Sequence, residues 1–163
     1  MYDHFKYTEK LSRQLVPISH TDTDCHHFRA TEQSELIELN AMITKAHGMI
    51  MIAIDGATSD FKLNNTDSLM ERPGYSLVIA KQTKSADTDT IFQAQKECKE
   101  VMTAVISRML HDYNNYLDGC ENIDTSSLQM SGFGPIGDLF YGVILDFYIN
   151  EGVNYKLNPE MWH

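Results

Sequence analysis

The 163-residue chain has few of the features that mark specialised protein classes. Its three cysteines, Cys25, Cys98 and Cys120, are odd in number, widely spaced and never in a C-x-x-C pair. That excludes a disulfide framework or a cysteine-based zinc knuckle and predicts reduced thiols in a reducing compartment. Positive charge is scarce: 13 Lys and Arg stand against 23 Asp and Glu, a formal net charge of −10. Nucleic-acid binding needs clustered cations to neutralise phosphates, so no nucleic-acid partner is expected. Long apolar runs are missing too. The longest, Met49 to Ile54, falls far short of the ~18 residues that cross a bilayer, so no membrane partner is expected. The N-terminal MYDHFKYTEK has charges from its third residue and no apolar stretch of a signal peptide, which predicts a cytoplasmic location. Neither internal repeats nor low-complexity tracts interrupt the chain.

What is present reads as one α+β domain over residues 1–163. The expected fold is a mostly antiparallel four-stranded sheet covered by a long amphipathic helix and a second helix. Residues 1–30 read as an N-terminal helix and loop. Phe5, Leu11 and Leu15 lie among polar residues up to Pro17, which stops a helix. Ile18 to Ala30 is polar and aperiodic, hence a loop. Thr31 can cap a helix, with Glu32 and Glu35 in its first turn and Leu36, Leu39, Ile43 and Ala46 at helical spacing up to Gly48. The isoleucine-rich run that follows predicts a strand buried on both faces. A second strand is expected over Tyr75 to Gln82, after a long polar loop from Gly56 to Gly74. Loops of that length often bind something.

The strongest helical signal follows Asp87 and Asp89, either of which can cap it, and runs to about Asn114. Ile91, Ala94, Cys98, Val101, Met102, Val105, Met109 and Tyr113 share one face. A hairpin is expected next: SSLQMSGF, a GPIGD turn, then LFYGVILDFYI. Residues 150–163 read as a C-terminal tail.

Candidate chemistry is thin. His20, Asp22, Asp24, Cys25, His26 and His27 are potential metal ligands, but no second ligand group lies downstream to complete a coordination sphere. The stretch reads as a solvated loop, and the expected metal complement is none. No G-x-S-x-G is present, Cys98 falls on a buried helical face, and His111 sits where it meets a helix C-terminus. Catalytic and cofactor-binding residues are therefore expected to be none, with no cofactor. The glycines of Gly132 to Asp138 precede a strand rather than a helix, which suits a turn better than a phosphate cradle. Asp55, Asp60, Asp67 and Glu71 lack the spacing of a calcium loop. Met42, Met49, Met51, Met70, Met102, Met109 and Met130 read mostly as core filling.

The segments YSLVIAKQ, TDTIFQAQKECKEVMTAVISRMLHDY and SSLQMSGFGPIGDLFYGVILDFYI, from Tyr75 to Ile149, resemble in pattern the small neck and tail-terminator proteins of tailed bacteriophages and prophages. The likeness covers about half the chain. It implies a non-enzymatic virion structural protein that forms a ring-shaped homo-oligomer, in that family often a hexamer, and contacts other tail or neck proteins. Assembly would take place in the host cytoplasm. The residues expected at its interfaces are Asp60, Phe61, Leu69, Met70, Tyr155, Met161 and Trp162. Two other readings stand beside it: a metal-dependent enzyme using His20, Asp22, His26 and His27, and an adaptor or binding domain of a host cell.

Overall fold

The computed structural model describes residues 1–32, 39–63, 65, 68–137, 139–152 and 155–162. Among the described residues, three helices and a mixed six-stranded sheet make it an α+β fold. Helix α1 is His4–Gln14 and the short helix α2 is Asn40–Ile43; the long helix α3 is Thr88–Asn114. The strands are β1 His27–Ala30, β2 Met49–Leu63, β3 Leu69–Gln82, β4 Ile123–Ile136, β5 Phe140–Ile149 and β6 Glu151–Gly152. Their order across the sheet is β1-β2-β3-β5-β4, with β6 pairing β3.

Period-two alternation sorts the central strands onto two faces. Met49, Met51 and Ala53 of β2, Leu77 and Ile79 of β3, and Val143, Leu145, Phe147 and Ile149 of β5 pack with α1 and α3. Ile50, Ile52, Ile54, Val78, Ala80 and Ile144 pack on the other face against Phe28, Ala30, Ile43 and Ala46. The run from Met49 to Ile54 is therefore buried on both faces, as its composition predicts.

Both outer helices are capped by an aspartate. Asp3 accepts a hydrogen bond from the Lys6 amide and Asp87 from the Thr90 amide, each satisfying an amide that has no intrahelical partner. Helix α1 buries His4, Tyr7, Thr8, Leu11 and Ser12, an i, i+3, i+4, i+7, i+8 stripe. That stripe is more polar than the Phe5, Leu11 and Leu15 that marked the helix in sequence. Helix α3 buries Ala94, Cys98, Met102, Val105 and Met109 as expected, and also Asp112. The Asp112 carboxylate accepts from Tyr7 Oη at 2.8 Å, Arg108 Nε at 2.9 Å and His111 Nδ1 at 3.0 Å. Burial opposes ionisation, yet these donors hold its carboxyl below the usual range.

Three expectations need correction. The sheet is mixed and six-stranded rather than four-stranded, because β1 and β6 come from stretches read as loop and tail. His27–Ala30 pairs parallel to β2, with His27 opposite Met51. Four residues are too few to display an alternation, so only the pairing reveals the strand. The long loop from Gly56 to Gly74 is mostly strand as well: β2 runs on to Leu63 and β3 starts at Leu69. Of the predicted helix from Thr31 to Gly48, Asn40–Ile43 is helical, while Glu35 and Leu36 lie outside the described residues. Leu39, Ile43 and Ala46 do face the sheet.

Two strands approach closely at Gly142 of β5, opposite Ala80 of β3. A Cβ there would lie 1.9 Å from the Ile79 carbonyl oxygen and 2.7 Å from Ala80 Cα. Gly142→Ala is expected to destabilise the protein by about 3 kcal/mol through strand displacement, read as a shift of the urea midpoint. A loss below about 1 kcal/mol would show that β3 and β5 do not pack so tightly.

Candidate functional site

Beyond Ile54 the hairpin leaves the body of the sheet. A register shift between Ile54 and Thr58 marks the departure, with Asp55 Oδ1 accepting from the Ala57 amide at 3.1 Å and Ala57 at φ 51°. From there Thr58–Leu63 pairs with Leu69–Gly74. Strand β1 stops opposite Ile54 and β5 stops pairing at Gly74. Among the described residues, the far part of the hairpin has as a further neighbour only β6, opposite Met70 and Glu71. It is a two-stranded arm, and its outer β2 edge from Thr58 to Leu63 carries no strand among the described residues.

The arm has two unlike sides. Ser59, Phe61 and Leu63 share one side with Leu69 and Glu71, and Thr58, Asp60 and Lys62 share the other with Met70 and Arg72, as the pairings Phe61 with Glu71 and Leu63 with Leu69 require. Phe61 is 55% exposed, Leu63 69% and Leu69 39%. The ring of Tyr155 stands edge-on to Phe61 at 6.4 Å. Leu157, Met161 and Trp162 are exposed farther along the C-terminal tail, around the 3-10 turn Pro159–Met161. The expected interface residues Phe61, Leu69 and Tyr155 thus come together, and Met161 and Trp162 are exposed nearby in sequence. Met70 is half-buried on the opposite side.

Asp60 has a different role, because it helps to hold the arm in place. The Arg72 guanidinium binds Asp60 through Nε at 2.7 Å and Nη2 at 2.5 Å, reaches Asp124 of β4 through Nη1 at 2.6 Å, and lies over the Tyr148 ring at 4.7 Å. One side chain, 8% exposed, ties the arm to both β5 and β4. The Arg72 hydrogen bond holds the Asp60 carboxyl below its usual range, and the Ser126 hydroxyl chiefly does the same for Asp124. Sequence reading missed Arg72, Asp124 and Tyr148. The available signal was weak: Phe61 and Leu63 alternate with polar residues before a pair of asparagines.

The histidine-rich stretch is structural. His26 Nδ1 donates to the Met49 carbonyl at 3.0 Å, and the His26 amide donates to His20 Nδ1 at 3.1 Å. His27 Nε2 meets Thr8 Oγ1 at 3.0 Å. Asp22 binds Arg13 and Asp24 lies against His26 Nε2. Burial pushes the His27 imidazole down to about 4 and lowers that of His20; the three rings together fasten β1 to α1 and β2. No group of three or more His, Cys, Asp or Glu is placed to hold a metal ion among the described residues. The acidic residues of the arm do not converge either: Asp60 binds Arg72 and Glu71 accepts from Ser59, and Asp67 lies outside the described residues.

Cys98 is fully buried, with its thiol pushed up to about 12 by burial. Cys120 is likewise buried, whereas Cys25 is exposed. His111 bonds to Asp112 at the end of α3. Gly132 to Gly137 forms the end of β4 and the turn into β5, as its glycines and Pro135 predict, with Asp138 outside the described residues. Met49, Met51, Met102 and Met109 are core residues; Met130 is half-buried against the core and Met42 is exposed. No described helix is long and apolar enough to cross a membrane.

Comparison with protein-family models, with curated proteins and with solved structures finds no match.

Two outcomes test this description. Arg72→Leu is expected to speed amide exchange over Thr58–Leu63 and Leu69–Arg72 by roughly tenfold or more, the effect of losing a charged hydrogen bond, while α3 stays protected. Equal exchange in both proteins would mean that Arg72 does not hold the arm. Zinc or a chelator is expected to leave the melting midpoint unchanged, because His26 and His27 already make internal hydrogen bonds. A midpoint that rises with zinc and falls with chelator would reveal a bound metal.

Proposed function

We propose that the chain is a non-enzymatic structural protein of a phage or prophage-like particle, a tail terminator or head–tail neck component that assembles as a ring. The observation that carries this reading is the arm. Two strands reach past the sheet with Phe61, Leu63 and Leu69 exposed on one side, held in a fixed direction by Arg72. A free two-stranded ribbon has little stability of its own, and an apolar side turned to water gains by being covered. A second copy of the chain is the proposed cover. The arm lies at one end of the hairpin and is not symmetric with the rest of the surface. Its contact with another part of the next copy would be head-to-tail, the kind of contact that closes into rings. The tail around Tyr155, Met161 and Trp162 supplies further apolar contact for the same neighbour or for adjoining tail and neck proteins.

The net charge of −10 opposes self-association, so assembly is expected to strengthen as salt screens it. Light scattering over a concentration series is expected to find oligomers, with ring particles by negative-stain microscopy. Phe61→Ser and Leu69→Ser are each expected to weaken association about tenfold or more by removing apolar burial, with unchanged circular dichroism. A protein that stays monomeric at high concentration, high salt and in the presence of tail tube would overturn the proposal.

A further inference from the structure

We propose that His4 is an acid-released pin that joins α1 to the root of the arm and makes the arm's support dependent on pH. The inference rests on the arm being the working surface and concerns its regulation.

His4 is 3% exposed. Its Nε2 lies 2.8 Å from the Ser76 carbonyl oxygen of β3, and its Nδ1 lies 3.0 Å from the Tyr2 hydroxyl. A carbonyl only accepts, so Nε2 carries the proton and Nδ1 receives the hydroxyl of Tyr2. The Tyr2 contact, in which Nδ1 accepts, belongs to the neutral ring; the Ser76 contact is open to either form. The site is also the root of the arm: Tyr75 and Gly74 follow back from Ser76, and Gly74 is the last β3 residue to pair with β5. The rings of Tyr75, Phe147, Tyr2 and Phe5 enclose His4 at centroid distances of 4.9, 5.8, 5.9 and 6.2 Å. Gly119, at φ 79°, lies under this N-terminal segment, where a Cβ would come within 2.5 Å of the Tyr2 nitrogen.

A second proton on Nδ1 removes the acceptor of the Tyr2 hydroxyl and places a cation on a buried ring flanked by aromatic side chains. The ionisable groups facing His4 are Tyr2, Asp3 at the α1 cap, Asp55 from β2, Tyr75 from β3 and His27 from β1, with Cys120 against Tyr2. Burial dominates and lowers the imidazole to about 4, although the Ser76 carbonyl and the two carboxylates pull the other way. A released segment returns the ring to its ordinary value near 6.5. The pin is thus at full strength above about pH 6.5 and weakens as pH falls toward 4, roughly tenfold per pH unit.

Hydrogen exchange of the full chain from pH 7.5 to 4.5, corrected for intrinsic chemistry, reads the opening of residues 4–8 and 74–77 directly. Opening of these residues is expected to rise by up to about tenfold per pH unit below 6.5, ahead of α3. His4→Gln keeps a donor for Ser76 and cannot titrate, so the pH slope at residues 74–77 is expected to be lost, leaving at residues 4–8 only what His27 contributes through Thr8. Tyr2→Phe removes only the hydroxyl and is expected to reduce the slope, which guards against a misfolded His4 variant. A flat response in the unaltered protein, or an unchanged slope in Tyr2→Phe or in folded His4→Gln, overturns the pin. Light scattering at pH 7.5 tests ring assembly separately, since that measurement is made where the pin is closed.

Discussion

The packing of this protein depends on burying three central strands, β2, β3 and β5, on both faces at once. Their side chains alternate between a core under α1 and α3 and a core under the segment around Ile43 and Ala46. Because successive residues point to opposite sides, a slip of one residue would exchange the two cores entirely. Gly142 shows how tight the fit is: β3 and β5 approach so closely there that no side chain has room. This double burial positions everything else, including the point at which β2 and β3 outrun their neighbours and become an arm.

Where the apolar cover ends, polar contacts take over. Arg72 joins Asp60, Asp124 and the face of Tyr148 across three strands, doing for the arm what side-chain packing does in the body. The guanidinium suits the position because its planar fork serves two carboxylates while its face rests on a ring. On the side toward α1, the root meets a cluster of aromatic rings around His4. The arm is therefore supported from both sides by groups that carry or can acquire charge, whereas its tip exposes Phe61, Leu63 and Leu69, with Tyr155 edge-on to Phe61.

The histidines show why a sequence cluster is a weak guide to a site. His20, His26 and His27 stand close together in the chain with Asp22, Asp24 and Cys25, the residue types that bind metals. Once folded, their ring nitrogens point to a backbone amide, a carbonyl and a threonine hydroxyl instead. They serve to seat β1 beside α1. Asp112 makes the reverse case. In sequence it is one more polar residue near a helix end, yet it is fully buried and bound by three donors from two helices.

The sequence by itself determined the elements whose signals are local. The Asp87-capped helix, the doubly buried Met49 to Ile54, the strands near Tyr75 and Phe140 and the stop at Pro17 all follow from caps, periodicity and apolar runs. Only the tertiary structure decided what depends on partners distant in the chain. Strand β1 exists because β2 offers it an edge, and the strands of the arm exist because each pairs with the other in residues too polar to announce a core. Arg72 meets Asp124 across 52 positions of chain, and His4 meets Ser76 across 72. Hydrogen bonds and burial of this kind leave no period in the sequence, because the residue that explains each one lies elsewhere along the chain.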